Sequence, residues 1–309
     1  MTIVSVLTVE DKKMFSIDEF IIAVFCCVDD LLRTLTQEQP IRQRGFAPAL
    51  SDSEVITMEI VGEYQGIDTD QGVWQYFRRH WLEWFPHLGS RVTFARQAAN
   101  LWQYKAWLQQ QLATQLGAFT DDLHLVDGIP IPLCCISRAP RCRSFASESE
   151  YGYCAAKKEF YYGFHGHLLI SGTGVITGFS LTPANGSERE ALWDMVQSIQ
   201  GLLIGDKGYL SDSLKQELQP LGVQLETALR SNMQDFRDPA WVSLIQRVRR
   251  LIETVIGQLT QRFHIEKIWA RDLWHLTSRL NRKLLAHTLC RWLNRKSPEP
   301  LQSESLVSN

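Results

Sequence analysis

A short apolar run that ends in an acidic residue is the first candidate for chemistry in this sequence. Residues 202–209 have the sequence LLIGDKGY, so Asp206 follows a predicted buried strand and has a glycine on either side of it. A carboxylate held on a fixed backbone at a strand end is a suitable ligand for a divalent cation. An ordinary turn after a core strand would have the same pattern, so Asp206 alone does not decide between the two.

A second carboxylate lies inside another predicted strand. Residues 123–133 (LHLVDGIPIPL) alternate as a strand does, and Asp127 stands in the middle of this run. Prolines 130 and 132 restrict the part beyond Gly128 to a sheet edge or a frayed end. Burial of a lone carboxylate is costly, so either a cation or an arginine must neutralise Asp127. A structural salt bridge is the alternative to a metal site.

The third acid lies on a predicted helix. The apolar residues Val248, Leu251, Ile252, Val255, Leu259 and Phe263 recur at helical spacing and predict a helix over residues 239–263. Glu253 falls on the opposite face, together with Arg249 and Arg250. A surface ion pair between Arg249 and Glu253, four residues apart, would explain the same pattern without any function.

Three acids, two on strands and one on a helix, favour phosphoryl transfer on nucleic acid. Carboxylates are the ligands that Mg²⁺ or Mn²⁺ prefers, and two such ions about 4 Å apart can activate a nucleophile and stabilise a leaving oxygen. Basic side chains near the acids would bind phosphates. The candidate DNA contacts are Lys207, Arg249, Arg250, Lys157, Lys158 and Tyr209. Tyr209 could instead be a core residue. Lys157 and Lys158 could instead belong to a solvated loop without a DNA contact.

The composition is that of a globular protein. The chain has 309 residues, 45% hydrophobic and 21% charged, and no apolar stretch approaches the roughly 20 residues of a membrane span. Residues 1–13 lack the pattern of a secretory signal, and seven cysteines without a disulfide-framework spacing suit a reducing compartment. The expectation is a cytoplasmic protein with no membrane contact. The spacing of Cys134, Cys135, Cys142 and Cys154 fits no common zinc pattern.

The order of elements predicts three segments. Four helices before residue 120 form a helical subdomain (1–118), which is either a DNA-reading module or a scaffold. Residues 119–265 alternate strands and helices, including a hairpin at residues 171–174, a helix from Glu188 and a last strand at 223–229, and predict a mixed sheet flanked by helices. A long basic loop is predicted at 137–159. The third segment, 266–309, is predicted to be a basic helical tail. It overlaps a basic block, residues 247–296, that holds twelve Lys or Arg against three Asp or Glu. This block indicates either a polyanion partner or solvated helix faces.

Several stretches together resemble the DDE transposases of bacterial insertion sequences. They are residues 124–128 (HLVDG), 151–155 (YGYCA) with Lys157 and Lys158, 181–185 (LTPAN), 205–209 (GDKGY) and 249–254 (RRLIET). The most similar group is insertion-sequence family 982, and the resemblance covers essentially the whole chain. It implies a ribonuclease-H-like core, Mg²⁺-dependent cutting and joining of DNA, and Asp127, Asp206 and Glu253 as the acid triad. The spacings of 79 residues (206 − 127) and 47 residues (253 − 206) suit this assignment.

The resemblance also implies partners, and it has one departure. The expected substrates are double-stranded DNA ends with terminal inverted repeats and a target DNA, bound by a homo-oligomer in the nucleoid. The related insertion-sequence-four group has the pattern Tyr-x2-Arg-x3-Glu-x6-Lys around its glutamate, whereas this chain has Gln246 and Thr260 at the outer positions. Two alternatives therefore stay open, namely a nuclease that cleaves without joining and a catalytically silent DNA-binding derivative.

Overall fold

The computed structural model of the chain describes residues 16–38, 41–42, 44–45, 47–155, 157–229 and 233–296. Its α-helices are α1 (Ile17–Glu38), α2 (Asp52–Tyr64), α3 (Asp70–His80), α4 (Arg91–Asn100), α5 (Trp102–Gln115), α6 (Glu188–Trp193), α7 (Asp212–Leu218), α8 (Pro239–Gln261) and α9 (Leu273–Lys296). Its strands are β1 (Leu123–Cys135), β2 (Glu150–Cys154), β3 (Glu159–Ser171), β4 (Ile176–Pro183), β5 (Gly201–Gly205) and β6 (Val223–Thr227). Residues 1–15 and 297–309, which belong to the first and third predicted segments, lie outside the described residues.

Side-chain caps set where the N-terminal helices begin. The Ser51 hydroxyl accepts from the N–H of Glu54, and the Glu54 carboxylate accepts from the N–H of Ser51, so the predicted capping box starts α2. The stretch after Ser90 is two helices, α4 and α5, because Leu101 adopts φ −87° and ψ 13° and turns the chain. The prediction of four helices before residue 120 was therefore wrong, and the described residues contain five.

The third helix ends before the last aromatic residues of its stretch. α3 ends at His80, and the N–H groups of Trp84 and Phe85 both bond the carbonyl of Trp81 in a turn. This turn folds Phe85 back, edge-on against Phe77, with ring centroids 4.8 Å apart. Phe77 and Phe85 are thus both core residues, although Phe85 is not helical, whereas Trp84 is exposed.

Six strands form one mixed sheet in the order β2-β3-β1-β5-β6, with β4 paired to the second half of β3. β1 is antiparallel to β3 and parallel to β5, and β5 is parallel to β6. The prediction of a mixed sheet with flanking helices is confirmed. β5 pairs only with the first part of β1, up to Val126, so Pro130 and Pro132 lie where β1 has a neighbour on one side alone.

The predicted loop at 137–159 contains a strand that the sequence did not reveal. β2 pairs with the first half of β3 and sets Tyr151 opposite Tyr162 and Tyr153 opposite Phe160. Both aromatic pairs are in ring contact, with centroids 5.0 Å and 4.8 Å apart. Cross-strand aromatic contacts of this kind stabilise a ribbon that is too short to be recognised from its own residues.

The sheet separates two hydrophobic clusters. Leu125 and Ile129 of β1 belong to a large cluster that includes Ile252 of α8 and the buried side chains of α1 to α5 and α9. Val126 and its partner Leu169 belong to a smaller cluster with side chains of α6 and α7. Because successive side chains of a strand point to opposite faces, α8 and α6 cover opposite faces of the sheet.

The helix of the predicted basic tail packs as a core element. α9 contacts α2, α4 and α5, and Leu280, Leu285 and Leu289 of α9 are buried. Its two adjacent cations, Arg282 and Lys283, are also buried, so they are not surface contacts for a polyanion. The division of the chain at residues 118 and 265 stays a prediction. None of the described helices is long and apolar enough to cross a membrane.

A buried ion network joins α9 to α2, α3 and α5. Lys105 contacts Glu59 at 2.8 Å, and Lys283 contacts Glu63 at 2.7 Å. Arg282 binds Glu63 through Nε and Asp70 through Nη1. Removal of one member of such a network leaves a buried charge without its partner. The network therefore makes the position of α9 dependent on acids that lie more than 200 residues earlier, at separations of 219 and 212 residues.

We predict that Arg282→Met destabilises the fold by about 3–5 kcal/mol, because Glu63 and Asp70 lose a buried partner. Urea unfolding at neutral pH measures the effect. Arg33→Met is the control, since Arg33 is 74% exposed and its ion pair with Asp29 should contribute about 1 kcal/mol or less. Equal effects of the two substitutions would contradict a stabilising role for the network.

We also predict a specific loss of stability in acid. Burial raises the pKa of Asp70, but the charges of Arg282 and Arg279 outweigh burial and lower it from 3.8 to about 2. The stabilisation is therefore present above pH 3.8 and is lost as the pH falls through 2. Asp70→Asn should flatten this acid dependence of the unfolding free energy. Asp30→Asn, which alters an exposed carboxylate of α1, should retain the native dependence.

Candidate active site

The parallel pairing of β1 and β5 brings two of the predicted acids together. Val126 is the partner of Gly205 in this ladder, so Asp127 and Asp206 are the next residues on adjacent strands. Asp206 follows the last residue of β5 and begins a 3₁₀ turn over Lys207–Tyr209. The Asp127 carboxylate accepts the N–H of Gly128 at 2.8 Å. The side chains of Asp127 and Asp206 are 22% and 42% exposed, so both border solvent.

Arg249 of α8 stands between the two aspartates. Its Nη2 atom is 3.1 Å from Oδ1 of Asp206 and 4.0 Å from Oδ2 of Asp127, and its side chain is 19% exposed. The arginine is therefore not the partner of Glu253 on a helix surface. A single guanidinium supplies the positive charge that two adjacent carboxylates require.

Glu253 lies one helical turn beyond Arg249 on the same side of α8. Residues four apart on a helix are neighbours, so Glu253 is directed toward the edge of the sheet that holds the aspartates. Its side chain is exposed, and its negative charge raises the pKa of Asp127. Among the described residues, no ion pair or hydrogen bond to the Glu253 carboxylate is found.

Crowding of negative charge changes the acidity of the site. Burial raises the pKa of Asp127 from 3.8 to about 6, and the charges of Asp206 and Glu253 add to this rise. The Gly128 N–H and Arg249 act in the opposite direction. A carboxyl group with this pKa holds its negative charge only partly near pH 6, chiefly because burial removes it from water.

A fourth acid, Glu188, lies near enough to the aspartates for their charges to act on it, and it was not among the predicted site residues. It is the first residue of α6, half-buried, and burial together with the charges of Asp127 and Asp206 raises its pKa. The sequence predicted only that a helix begins at this position. Its proximity to the aspartates depends on how α6 packs on the sheet, which no local pattern reveals.

Two histidines and a tyrosine form a polar layer beneath the site. His165 stacks on His167 with ring centroids 4.8 Å apart, and a Cβ atom at Gly128 would lie 2.1 Å from His165 Nε2. His167 Nε2 contacts the Thr182 hydroxyl at 3.0 Å, and its Nδ1 lies 3.4 Å from the Tyr209 hydroxyl. Burial lowers the pKa of His167 to about 4, and the charge of His165 contributes to this shift. His167 is therefore neutral at physiological pH.

The remaining predicted DNA contacts differ in their surroundings. Tyr209 is fully buried, so it supports the turn from the core and its predicted contact with DNA is corrected. Lys157 is bound to Glu266, whereas Lys207, Arg250 and Lys158 are exposed.

Metal binding is not preformed in this arrangement. Within the described ranges, no group of three His, Cys, Asp or Glu side chains is gathered so that it could hold a metal ion. The guanidinium of Arg249 occupies the space between the two aspartates, and Glu253 remains at the solvent edge. Carboxylate oxygens are ligands that a hard divalent cation prefers. In this arrangement the guanidinium of Arg249 supplies the positive charge among them.

Comparison with known proteins identifies the family. The model of a family described as transposase DDE domain matches residues 99–273, which is more than half of the chain. No curated protein sequence matches significantly. Among solved structures, the chain is similar to the piggyBac transposase in a cryo-EM synaptic complex with hairpin DNA, at 10% identity and a TM-score of 0.44 over 92% of this chain and 75% of that one. The family match includes Asp127, Asp206 and Glu253, and the chain belongs to the transposase DDE-domain family.

Proposed function

We propose that the chain is a DNA transposase in which Asp127, Asp206 and Glu253 form the catalytic acid triad. It cleaves the ends of an insertion sequence and joins the freed 3′-hydroxyls to target DNA. One observation carries the proposal: within the region matched by the family, β1 and β5 set Asp127 beside Asp206, and α8 directs Arg249 and Glu253 toward them. Among the described residues, the ion pair with Arg249 explains Asp127 and Asp206, but no ion pair explains Glu253.

The possible donors are all carboxylate oxygens, for which Mg²⁺ or Mn²⁺ is the natural cation. Asp127, Asp206 and Glu253 would hold it, and two ions are proposed. When bound, such ions supply Lewis-acid stabilisation of the charge that develops on a phosphodiester. The guanidinium of Arg249 between the aspartates supports this proposal, because it shows that this edge accommodates a positive group.

The basic residues around the acids bind and orient the DNA in this proposal. Lys207 and Arg250 are exposed and contact phosphates on either side of the scissile bond. Arg249 neutralises the aspartates in the free protein and turns to a phosphate in the DNA complex. Lys158 is an exposed backbone contact, and Lys157 exchanges Glu266 for a phosphate.

The sheet order supports a ribonuclease-H-like core. A central β1 is antiparallel to β3 on one side and parallel to β5 on the other, and helices cover both faces. We further propose that the chain is a bacterial insertion-sequence enzyme of family 982. It would act as a homo-oligomer on double-stranded DNA in the cytoplasm, with inverted repeats and target DNA as its partners.

A catalytically silent DNA-binding derivative is the second candidate. It is favoured by Gln246 and Thr260, which stand on α8 where the related group has tyrosine and lysine. The metal chemistry requires only the acids, so these changes bear on contacts to the DNA strand and leave the triad intact.

The proposal predicts Mg²⁺-dependent cutting of a labelled DNA fragment that carries the flanking inverted repeat. Asp206→Asn should lower the cleavage rate by about 100-fold or more, because loss of even an outer partner of a metal site costs 10–100-fold. Asp212→Asn is the matched control, since Asp212 is an exposed acid at the start of the next helix.

The products distinguish the candidates. Cleavage followed by joining to a second DNA supports the transposase, whereas cleavage without joining under the same conditions identifies a nuclease. Binding of the DNA without cleavage by the wild-type protein would reject catalysis and support the silent derivative.

We also predict a change in acidity within the metal-free site. Asp206→Asn should lower the pKa of Asp127 from about 6, because a like charge is removed while burial stays the same. NMR titration of ¹³C-labelled aspartates measures it. Glu217→Gln, which alters a carboxylate of α7 bonded to Ser213, should leave the pKa of Asp127 unchanged. An unchanged or higher value in Asp206→Asn would contradict the proximity of the two groups.

A further inference from the structure

We propose that an exposed aromatic face on the ribbon formed by β2 and the first half of β3 binds unpaired DNA bases by stacking. The face contains the rings of Tyr151, Tyr153 and Phe160, which are 46%, 53% and 63% exposed. This inference rests on the proposed function, since the DNA is the substrate of the same enzyme. It adds a contact to bases, whereas the basic residues around the acids contact phosphates.

Strand pairing gathers these rings on one side of the ribbon. Tyr151 stands opposite Tyr162, and Tyr153 stands opposite Phe160. The ring centroids are 5.0 Å apart in the first pair and 4.8 Å apart in the second. Because alternate residues of a strand share a face, the four rings form one continuous aromatic surface.

The other side of the ribbon is packed, so the aromatic face is held in place before any ligand binds. A Cβ atom at Gly152 would lie 2.8 Å from Cβ of Ala184 and 2.9 Å from Cζ of Tyr161, and Ala184 and Tyr161 are both buried. The acids Glu150 and Glu159 alternate with the aromatic residues and therefore lie on this packed side. Rings that are already positioned lose little conformational entropy when they bind a ligand.

Basic side chains lie next to the ribbon. β1 pairs Cys135 with Tyr161, and the 3₁₀ segment Ile136–Arg141 follows directly and contacts β3. Exposed arginines lie on this segment and just beyond it, namely Arg138, Arg141 and Arg143. The ion pair near the ribbon joins Lys157 to Glu266, and within the described ranges none involves these arginines. Positive charge beside exposed rings suits a strand that presents phosphates and bases together.

The aromatic face lies on the same side of the sheet as Asp127. Asp127 pairs with Leu168, and Phe160 lies eight residues (168 − 160) earlier on the same strand. An even separation keeps the side chains on one face, and eight residues span about 26 Å at about 3.3 Å per residue. At about 3.4 Å per nucleotide, a DNA strand covers this distance in about seven or eight nucleotides. The rings therefore meet bases that flank the proposed cleavage position.

A second copy of the chain is the alternative occupant, because among the described strands β2 has a neighbour on one side alone. Pairing of two such edges would bring the arginines of one copy toward those of the other, and like charges repel. Unpaired DNA offers planar bases to the rings and phosphates to the arginines. The charges therefore favour DNA over a second copy.

The test measures binding of the full-length protein to a labelled oligo(dT) single strand and to a duplex of the same length by fluorescence anisotropy. Tyr153→Leu combined with Phe160→Leu should weaken single-strand binding about 10-fold or more, because two rings that stack on bases are lost. Duplex binding should change little, since duplex bases already stack on one another. Phe236→Leu is the control, because it removes a ring that is 86% exposed outside the ribbon. Thermal unfolding checks that each variant is folded.

A ring-conserving variant separates stacking from a loss of structure. Tyr153→Phe combined with Phe160→Tyr keeps both rings and should bind the single strand as the wild type does. A single strand that contains 5-iodouracil should cross-link on irradiation to Tyr153 or Phe160, which mass spectrometry of the peptides locates.

The arginines are tested through the salt dependence of single-strand binding. Arg138→Gln combined with Arg141→Gln should lower the slope of log affinity against log salt by about 0.7 for each phosphate contact that is lost. Arg33→Gln on α1 is the control, since Arg33 is exposed and pairs with Asp29 within its own helix.

The outcomes distinguish this inference from the proposed function. Stacking is rejected if the wild type binds no single strand, if the leucine variant binds it as tightly as the wild type, or if single-strand and duplex binding fall equally. If the wild type is a dimer and the leucine variant a monomer with unchanged DNA binding, the face belongs to a second copy and the inference is overturned. In each case, cleavage of the inverted-repeat fragment that is lost in Asp206→Asn would still support the proposed function.

Discussion

Repulsion between two carboxylates on neighbouring parallel strands is the constraint around which the sheet-containing half of this protein is built. The pairing of Val126 with Gly205 places Asp127 and Asp206 on adjacent strands, whose backbones in any sheet are about 4.8 Å apart. At that separation, and with partial burial, both can stay ionised only beside a positive group. In the free protein this group is Arg249, so the sheet pairing and the placement of α8 depend on each other.

The helix α8 supplies the positive group because its apolar and charged residues lie at fixed angles around the helix axis. Ile252 lies in the core and fixes the rotation of the helix about its axis. Arg249 and Glu253 flank it at a spacing of one turn, so the rotation that buries Ile252 also turns a base and an acid toward the aspartates. One helix thus carries both Arg249, which neutralises the aspartates in the free protein, and Glu253, the third acid of the proposed triad.

The helical half applies the same physical rule with the opposite result. Glu59, Glu63 and Asp70 are buried against Lys105, Arg282 and Lys283, so each acid finds a base within the protein. The candidate site differs because its two aspartates share one base, Arg249, and Asp206 is 42% exposed. The buried network, in which each acid has a basic partner, stabilises the fold. The partly exposed aspartates, which share a single arginine, could also accept an external cation.

This difference also explains what the sequence could and could not predict. The capping box of Ser51, the hairpin at 171–174 and the apolar stripe of α8 depend on neighbours along the chain, and each was predicted. The burial of Arg282 and Lys283 depends on Glu63, about 220 residues earlier, so a run of bases appeared to be a surface for a polyanion. The break at Leu101 and the strand β2 likewise depend on tertiary contacts. Asp127, Asp206 and Glu253 could be named as candidates because a strand interior, a strand end and a helical stripe mark their positions locally. Glu188 has no such mark: along the chain it resembles Glu190, and only the packing of α6 distinguishes the acid that lies against the turn at Gly208 from the one that is exposed.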